Sequence, residues 1–157
     1  MTATLTRDAA GAPLVYQGLS TTCRDVARFG LLMARDGAWK SKQVVPSAWV
    51  GEATQPSTPL NDAYGYLWWL NQPGHVVEPS FPGRIEYDGQ LVPSAPDSTF
   101  AALGAFGQLV VVEPEAGYVV VRLQEVIDVE TAIADDFDPV GISKLHAVMA
   151  AFEQAKL

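Results

Sequence analysis

The sequence predicts an α+β domain, an antiparallel sheet flanked by helices, and three stretches carry that expectation. Residues 100–123 read FAALGAFGQLVVVEPEAGYVVVRL, where two valine-rich runs are joined by Glu113-Pro114-Glu115-Ala116-Gly117, the composition of a turn between paired strands. Near Thr22 begins a segment that places Val26, Phe29, Leu32 and Met33 at helical spacing. Residues 140–155 show that period again through Ile142, Leu145, Met149 and Phe152.

In chain order, Thr22 with Asp25 three residues on resembles the capping box of a first helix, and Gly37 suits its C-cap. Arg24, Asp25, Arg28 and Arg35 are expected on its other faces. Gly30 costs helical propensity and is expected to mark a close approach by a neighbouring element. A short second helix is expected from Pro46 to about Ala53, with proline in the first helical position. Residues 54–63 read as loop, and Tyr64-Gly65-Tyr66-Leu67-Trp68-Trp69-Leu70 as an aromatic strand with one alternating set of rings on the core. Residues 72–98 are rich in proline and glycine and offer one short strand, Arg84–Tyr87. Such a stretch is expected to be a functional lid or a poorly ordered insertion. The valine-rich hairpin follows, then an acidic stretch from Asp128 to Asp138, then the terminal helix.

At 157 residues the chain has the length of one domain with a core of its own. Hydrophobic residues at 48% and charged residues at 18% set it among globular rather than disordered chains. A net charge of -8 disfavours nucleic acid and anionic membranes as partners. Cys23 is the sole cysteine, which excludes an internal disulfide, and His75 and His146 lie far apart. No metal centre and no cofactor is therefore expected. The N-terminal stretch lacks the basic-then-apolar pattern of a signal peptide, and no apolar run is long enough to cross a bilayer. Expressed as given, the chain is expected in the cytoplasm.

The run Gly18-Leu19-Ser20-Thr21-Thr22-Cys23-Arg24-Asp25-Val26-Ala27-Arg28-Phe29-Gly30-Leu31-Leu32-Met33 resembles a helix of the serine β-lactamase-like hydrolases. That family includes class C β-lactamases, D-alanyl-D-alanine carboxypeptidases, related esterases and 6-aminohexanoate-dimer hydrolases. Asp36-Gly37-Ala38-Trp39, Val45-Pro46-Ser47-Ala48-Trp49 and Tyr64-Gly65-Tyr66-Leu67-Trp68-Trp69 follow in the family's order. Phe106-Gly107-Gln108 through Pro114 is similar to its hairpin beside the active site. The resemblance implies that residues 1–157 are the C-terminal portion of such a domain. It also implies hydrolysis of an amide or ester carbonyl through an acyl-enzyme. In the family the serine of a Ser-x-x-Lys motif attacks, while the lysine and a Tyr/Ser-x-Asn motif manage its proton. A Lys-Thr-Gly motif or a variant completes the cleft.

This sequence departs from that pattern. Ser20, Ser41, Ser47 and Ser57 are followed three places on by Cys23, Val44, Val50 and Leu60, and Ser80, Ser94, Ser98 and Ser143 by Gly83, Asp97, Ala101 and His146. None is a lysine. Two places before Asn61 and Asn71 stand Pro59 and Trp69, and no Gly-x-Ser-x-Gly elbow is present. In the family both missing motifs lie upstream of the matched stretch. The resemblance thus implies a chain inactive alone, acting on a small-molecule ester or amide once completed by an N-terminal half. The alternative is a non-catalytic binding or interaction module derived from the same fold. An enzyme fragment should self-associate through an exposed apolar face, whereas a module should be monomeric or specifically paired.

The candidate substrate-binding residues are Gly104, Ala105, Phe106, Gly107 and Gln108, where two glycines admit a ligand close to the main chain. The same glycines also read as a bulge or bend, and Gln108 as the start of a strand. The Lys-Thr-Gly equivalent falls on Thr99-Phe100-Ala101 in one alignment and on Gly104-Ala105-Phe106 in the other. Neither holds a lysine or histidine, so the grip on a substrate carboxylate is missing and β-lactams are disfavoured. No catalytic residue is identified. His146 reads as structural, His75 and Tyr87 as exposed, and Cys23 as a small packed residue. Ser41-Lys42 and Ser143-Lys144 are sequence neighbours that do not face each other on a helix.

Overall fold

The computed structural model describes residues 3–15, 18–78, 83–124 and 142–155. Its elements are β1 (Thr4–Leu5), β2 (Leu19–Ser20), α1 (Cys23–Ala34), β3 (Ala38–Trp39), β4 (Lys42–Gln43) and α2 (Ser47–Ala53). β5 (Trp69–Leu70), β6 (Gly74–Val77), β7 (Glu86–Gly89), β8 (Phe100–Gly104), β9 (Gln108–Glu113), β10 (Tyr118–Arg122) and α3 (Ile142–Ala155) follow. The main sheet is antiparallel throughout, in the order β10-β9-β8-β5.

Period-two alternation gives this sheet two apolar faces. Phe100, Ala102, Val110, Val112, Val119 and Val121 meet Val26 and Met33 of α1 and Val50 and Ala53 of α2. Ala101, Leu103, Leu109, Val111 and Val120 meet Leu145 and Met149 of α3 and Val76, Leu91 and Val92 before β8. The fold is therefore helix, sheet, helix, with a separate hydrophobic cluster on each side. Each large aliphatic side chain buried this way contributes about 1.5–3 kcal/mol.

α1 begins where Thr22 Oγ1 accepts the Asp25 N–H at 3.2 Å. Gly30 lies against the sheet: a Cβ at that position would fall 2.5 Å from Val119 Cγ1 and 3.3 Å from Val110 Cγ1. The close approach expected of it is present. Past the helix end, Gly37 adopts φ +79° and donates its N–H to Leu32 O at 2.9 Å. A side chain there would strike Val45 O, so the glycine is required by space as well as by dihedral. The C-cap residue itself is Arg35. Pro46 is likewise the N-cap of α2 rather than its first helical residue.

Several expectations are corrected. Asp25 is buried and pairs with Arg28, while Phe29 turns outward and stacks on Trp68 at 5.9 Å. The aromatic strand shrinks to β5. Leu67 adopts φ +63°, Gly65 packs beneath Ala53 O, and the Gly65 N–H donates to Trp68 O, so residues 64–68 form a turn. Trp68 and Trp69 enter the two opposite cores, Tyr64 meets Trp69 edge-on at 4.7 Å, and Tyr66 remains exposed. Residues 72–98 hold two strands, since β6 pairs with β7 in register Gly74↔Gly89 to Val77↔Glu86. Tyr87 is packed on the α3-side core rather than exposed, and His75 sits on β6 rather than in a loop. Phe100–Gly104 is a strand too, so the valine-rich hairpin is the last part of a three-stranded meander. The acidic stretch 128–138 and the side chains of Ile142 and Phe152 lie outside the described residues.

Candidate functional site

The five candidate residues form one tight reversal. β8 ends at Gly104, residues Ala105–Gly107 make a 3-10 turn, and β9 starts at Gln108 opposite Gly104. Phe106 and Gly107 have φ of +63° and +76°, a left-handed pair that a glycine in second place makes possible. A Cβ on Gly104 would come 3.0 Å from Gln108 Cβ, so the turn closes tightly. Its polar groups are engaged from β10. Arg122 Nη1 donates to Gly107 O at 2.6 Å, Gln108 Nε2 donates to Gln124 O at 2.7 Å, and the Gln124 N–H returns to Gln108 Oε1 at 2.9 Å. Gln108 both starts a strand and clasps the segment after β10.

Hydrogen-bond parity along β8 leaves the N–H and C=O of one residue facing away from β9. The Asn71 N–H donates to Thr99 O at 3.0 Å and the Leu70 N–H to Ala63 O at 2.9 Å, so the opposed pair Trp69↔Ala101 is hydrogen-bonded. Alternation directs Ala102 to β9 and Leu103 N–H and C=O away from it. The residue that would continue β5 opposite Leu103 is Leu67, whose positive φ peels the chain off the sheet. Among the described residues the β8 edge is thus open beside the Gly104–Gly107 turn.

At the other end of β8 lies a cavity of about 370 Å³. Met33, Val50, Leu70 and Phe100 line it with hydrocarbon, and Asp36, Gln55, Gln72, Asp97, Ser98 and Thr99 with polar groups. None of Gly104 to Gln108 touches it. Two buried polar residues organise the loop beside it. Asn71 Nδ2 donates to the carbonyls of Val92, Ala95 and Pro96, each at 3.0 Å, and its Oδ1 accepts the Val92 N–H at 2.7 Å. Glu113, only 1% exposed, accepts Ser98 Oγ at 2.7 Å and the backbone N–H groups of Glu115 and Ala116. These bonds satisfy the carboxylate and hold the β9–β10 turn.

The remaining titratable groups are dispersed. His146 Nε2 bonds to Leu91 O at 3.0 Å, a structural tie between α3 and the loop before β8. His75 lies 3.5 Å from both Glu86 and Asp88 on the neighbouring strand. Burial, with a lesser contribution from Glu78, pushes the Tyr87 hydroxyl up to about 12. The hydrogen bond from Tyr66 to Glu52 raises Tyr66 as well. Cys23 is exposed rather than packed. Among the described residues no group of His, Cys, Asp and Glu is arranged to hold a metal ion, and no helix is long and apolar enough to cross a membrane. Sequence reasoning missed the cavity, whose polar residues come from four separate loops and helix ends.

Comparison with known proteins identifies a family and similar solved structures. A family model described as Beta-lactamase matches residues 2–125. A solved structure titled "Putative 6-aminohexanoate-dimer hydrolase from Bacillus anthracis" is similar at a TM-score of 0.56 and 19% identity. That likeness covers 98% of this chain and 34% of the other, so the chain spans about a third of its length. No curated protein matches.

Proposed function

The chain belongs to the beta-lactamase family, and from that premise we propose that it is the C-terminal portion of a hydrolase domain acting on an amide or ester carbonyl through an acyl-enzyme. The observation that carries the proposal is the family match over residues 2–125. In this reading the nucleophilic serine and its base belong to the N-terminal half of the domain, because Ser-x-x-Lys and Tyr-x-Asn are absent from these residues. Gly104, Ala105, Phe106, Gly107 and Gln108 then form one wall of the substrate cleft. The main chain is the active part of that wall, since the Gln108 amide is occupied by Gln124. Leu103 N–H at the open edge is suited to receive the oxyanion that develops on a carbonyl under attack.

Surface composition supports a larger parent domain. Phe29 and Trp49 are 45% exposed and Leu67 58%, apolar area that further chain would cover. Both strands of the β1–β2 pair are exposed, with Leu5 opposite Leu19. Neither alignment of the Lys-Thr-Gly motif supplies a cation, which favours small esters or amides over β-lactams. The test is turnover by the purified chain. Nitrophenyl esters and a chromogenic cephalosporin should react no faster than in buffer; saturable turnover that follows this protein through purification from a hydrolase-deficient host would refute the proposal.

A further inference from the structure

The cavity below α1 and α2 is separate from the β8–β9 turn, and we propose that it binds a small organic cation, a primary ammonium on a short apolar stem. Its floor is hydrocarbon, formed by Met33, Val50, Leu70 and Phe100, all buried. Its rim carries two carboxylates, Asp36 and Asp97, and no lysine, arginine or histidine. Among the described residues neither carboxylate takes part in an ion pair, although Asp97 Oδ1 accepts Gln90 Nε2 at 2.8 Å.

Two further features act in the same direction. Met33 lies in the last turn of α1, and Thr54 and Gln55 follow directly on the end of α2, so both helices bring their C-terminal ends to this cavity. A helix C-terminus carries partial negative charge; neither last turn contains a basic residue, and Arg35, the C-cap of α1, does not line the cavity. Thr99 also lines the cavity. It is 4% exposed, and its Oγ1 has no hydrogen-bond partner among the described residues. A buried hydroxyl without a partner is unfavourable, and an ammonium offers it the donor it lacks. Acceptors and negative potential at the rim above an apolar floor select a cation with a hydrocarbon tail and reject an anion. The volume of about 370 Å³ lies at the small end of ligand pockets, which limits the stem to a few carbons.

n-Butylammonium tests the proposal when titrated into the whole chain at low ionic strength, with n-butanol and butyrate as controls that share its stem. Amide chemical shifts report the location. Trp68 fluorescence reports occupancy, because Trp68 meets Phe100 edge-on at 5.0 Å. The expected result is saturable binding of the cation with shifts centred on Phe100 and Thr99, at least roughly tenfold tighter than the alcohol, and no binding of butyrate. The double variant D36N/D97N should weaken the cation by about tenfold or more, and Thr99→Val several-fold without lowering the melting temperature. Should the double variant fail to fold, about 0.5 M KCl serves in its place, weakening the cation and sparing the alcohol. Equal affinity for alcohol and cation, cation binding indifferent to salt and to the carboxylates, or no saturable binding would each overturn the proposal. The acyl-transfer reading rests on the Gly104–Phe106 register of the Lys-Thr-Gly motif at the opposite end of β8, and turnover rather than cation binding tests it.

Discussion

Replacing Gly30 by alanine opposes a helix preference to a steric conflict at the crossing of α1 and β10. Glycine inside a helix is about 1 kcal/mol less favourable than alanine, so an unobstructed alanine would stabilise α1 by that amount. Here the added methyl group falls 2.5 Å from Val119 Cγ1 and 3.3 Å from Val110 Cγ1. Valine is stiff at χ1 and cannot swing clear at low cost, and overpacking of this kind costs about 1–3 kcal/mol. The net expectation for Gly30→Ala is a loss of up to about 2 kcal/mol. Val119→Ala removes the opposing methyl groups and should itself cost roughly 1.5 kcal/mol at about 0.8 per buried methylene equivalent. With both changes present the conflict disappears while the helix preference remains. The double-mutant cycle should therefore show a favourable coupling of about 1–3 kcal/mol, well beyond the ~0.5 kcal/mol scatter of independent sites. Urea unfolding of the four proteins, followed by circular dichroism, measures it. Additive effects, or a Gly30→Ala variant stabilised by the full alanine preference, would refute the packing described for α1.

Other predictions address the polar core, pH and association. Asn71→Ala leaves the buried Val92 N–H without its acceptor and takes one of two donors from each of the carbonyls of Val92, Ala95 and Pro96, and should lower stability by about 1–3 kcal/mol in a thermal or urea melt. Glu113→Gln puts an amide where three donors converge and should cost about 1–3 kcal/mol, against about 1 for Ser98→Ala, in the same assay. Tyr87 titrates at about 12 in the folded chain, against the ordinary tyrosine value of 10.0 that holds in the unfolded chain. The unfolded chain therefore loses that proton first, so the Tyr87 contribution is intact below about pH 10 and is lost as pH rises through 12. Ultraviolet titration should show a late tyrosinate phase that Tyr87→Phe deletes. If further chain covers Phe29, Leu67 and Trp49 in the parent domain, sedimentation of the isolated chain should show concentration-dependent association that Phe29→Ser with Leu67→Ser reduces.

The parts of this fold legible in the sequence are those whose local signals agree with their tertiary surroundings. Thr22 caps α1, Gly30 meets β10, and Leu145 and Met149 of α3 face the sheet, each as its spacing indicates. The two valine-rich runs pair as read. Phe100–Gly104 was illegible as a strand because its alanines and leucine carry no β-branched preference; pairing with β9 and β5 imposes the conformation. β6 was hidden for a related reason. Asn61 bonds to both the N–H and the C=O of Val77, and Asp62 to the His75 N–H, contacts that no local pattern announces. Residues 64–68 misled in the other direction. Their aromatic content favours a strand, but the tight seat of Gly65 and the left-handed Leu67 enforce a turn. At the candidate site the glycines of 104–107 form the bend that was one of their two readings, whereas the outward N–H of Leu103 depends on where β5 ends. The cavity was invisible because Asp36, Asp97 and Thr99 are distant in sequence and each reads alone as an ordinary loop residue.

Under the proposed function this chain presents part of an acyl-transfer cleft without the nucleophile. Incubation of the purified chain with a fluorophosphonate, followed by intact mass measurement, tests it most directly, because such reagents trap only serines activated by a neighbouring base. The account predicts an unmodified mass under conditions that fully label an intact serine hydrolase run alongside. Stoichiometric addition at any one of the chain's serines would show an activated nucleophile within these residues and contradict it.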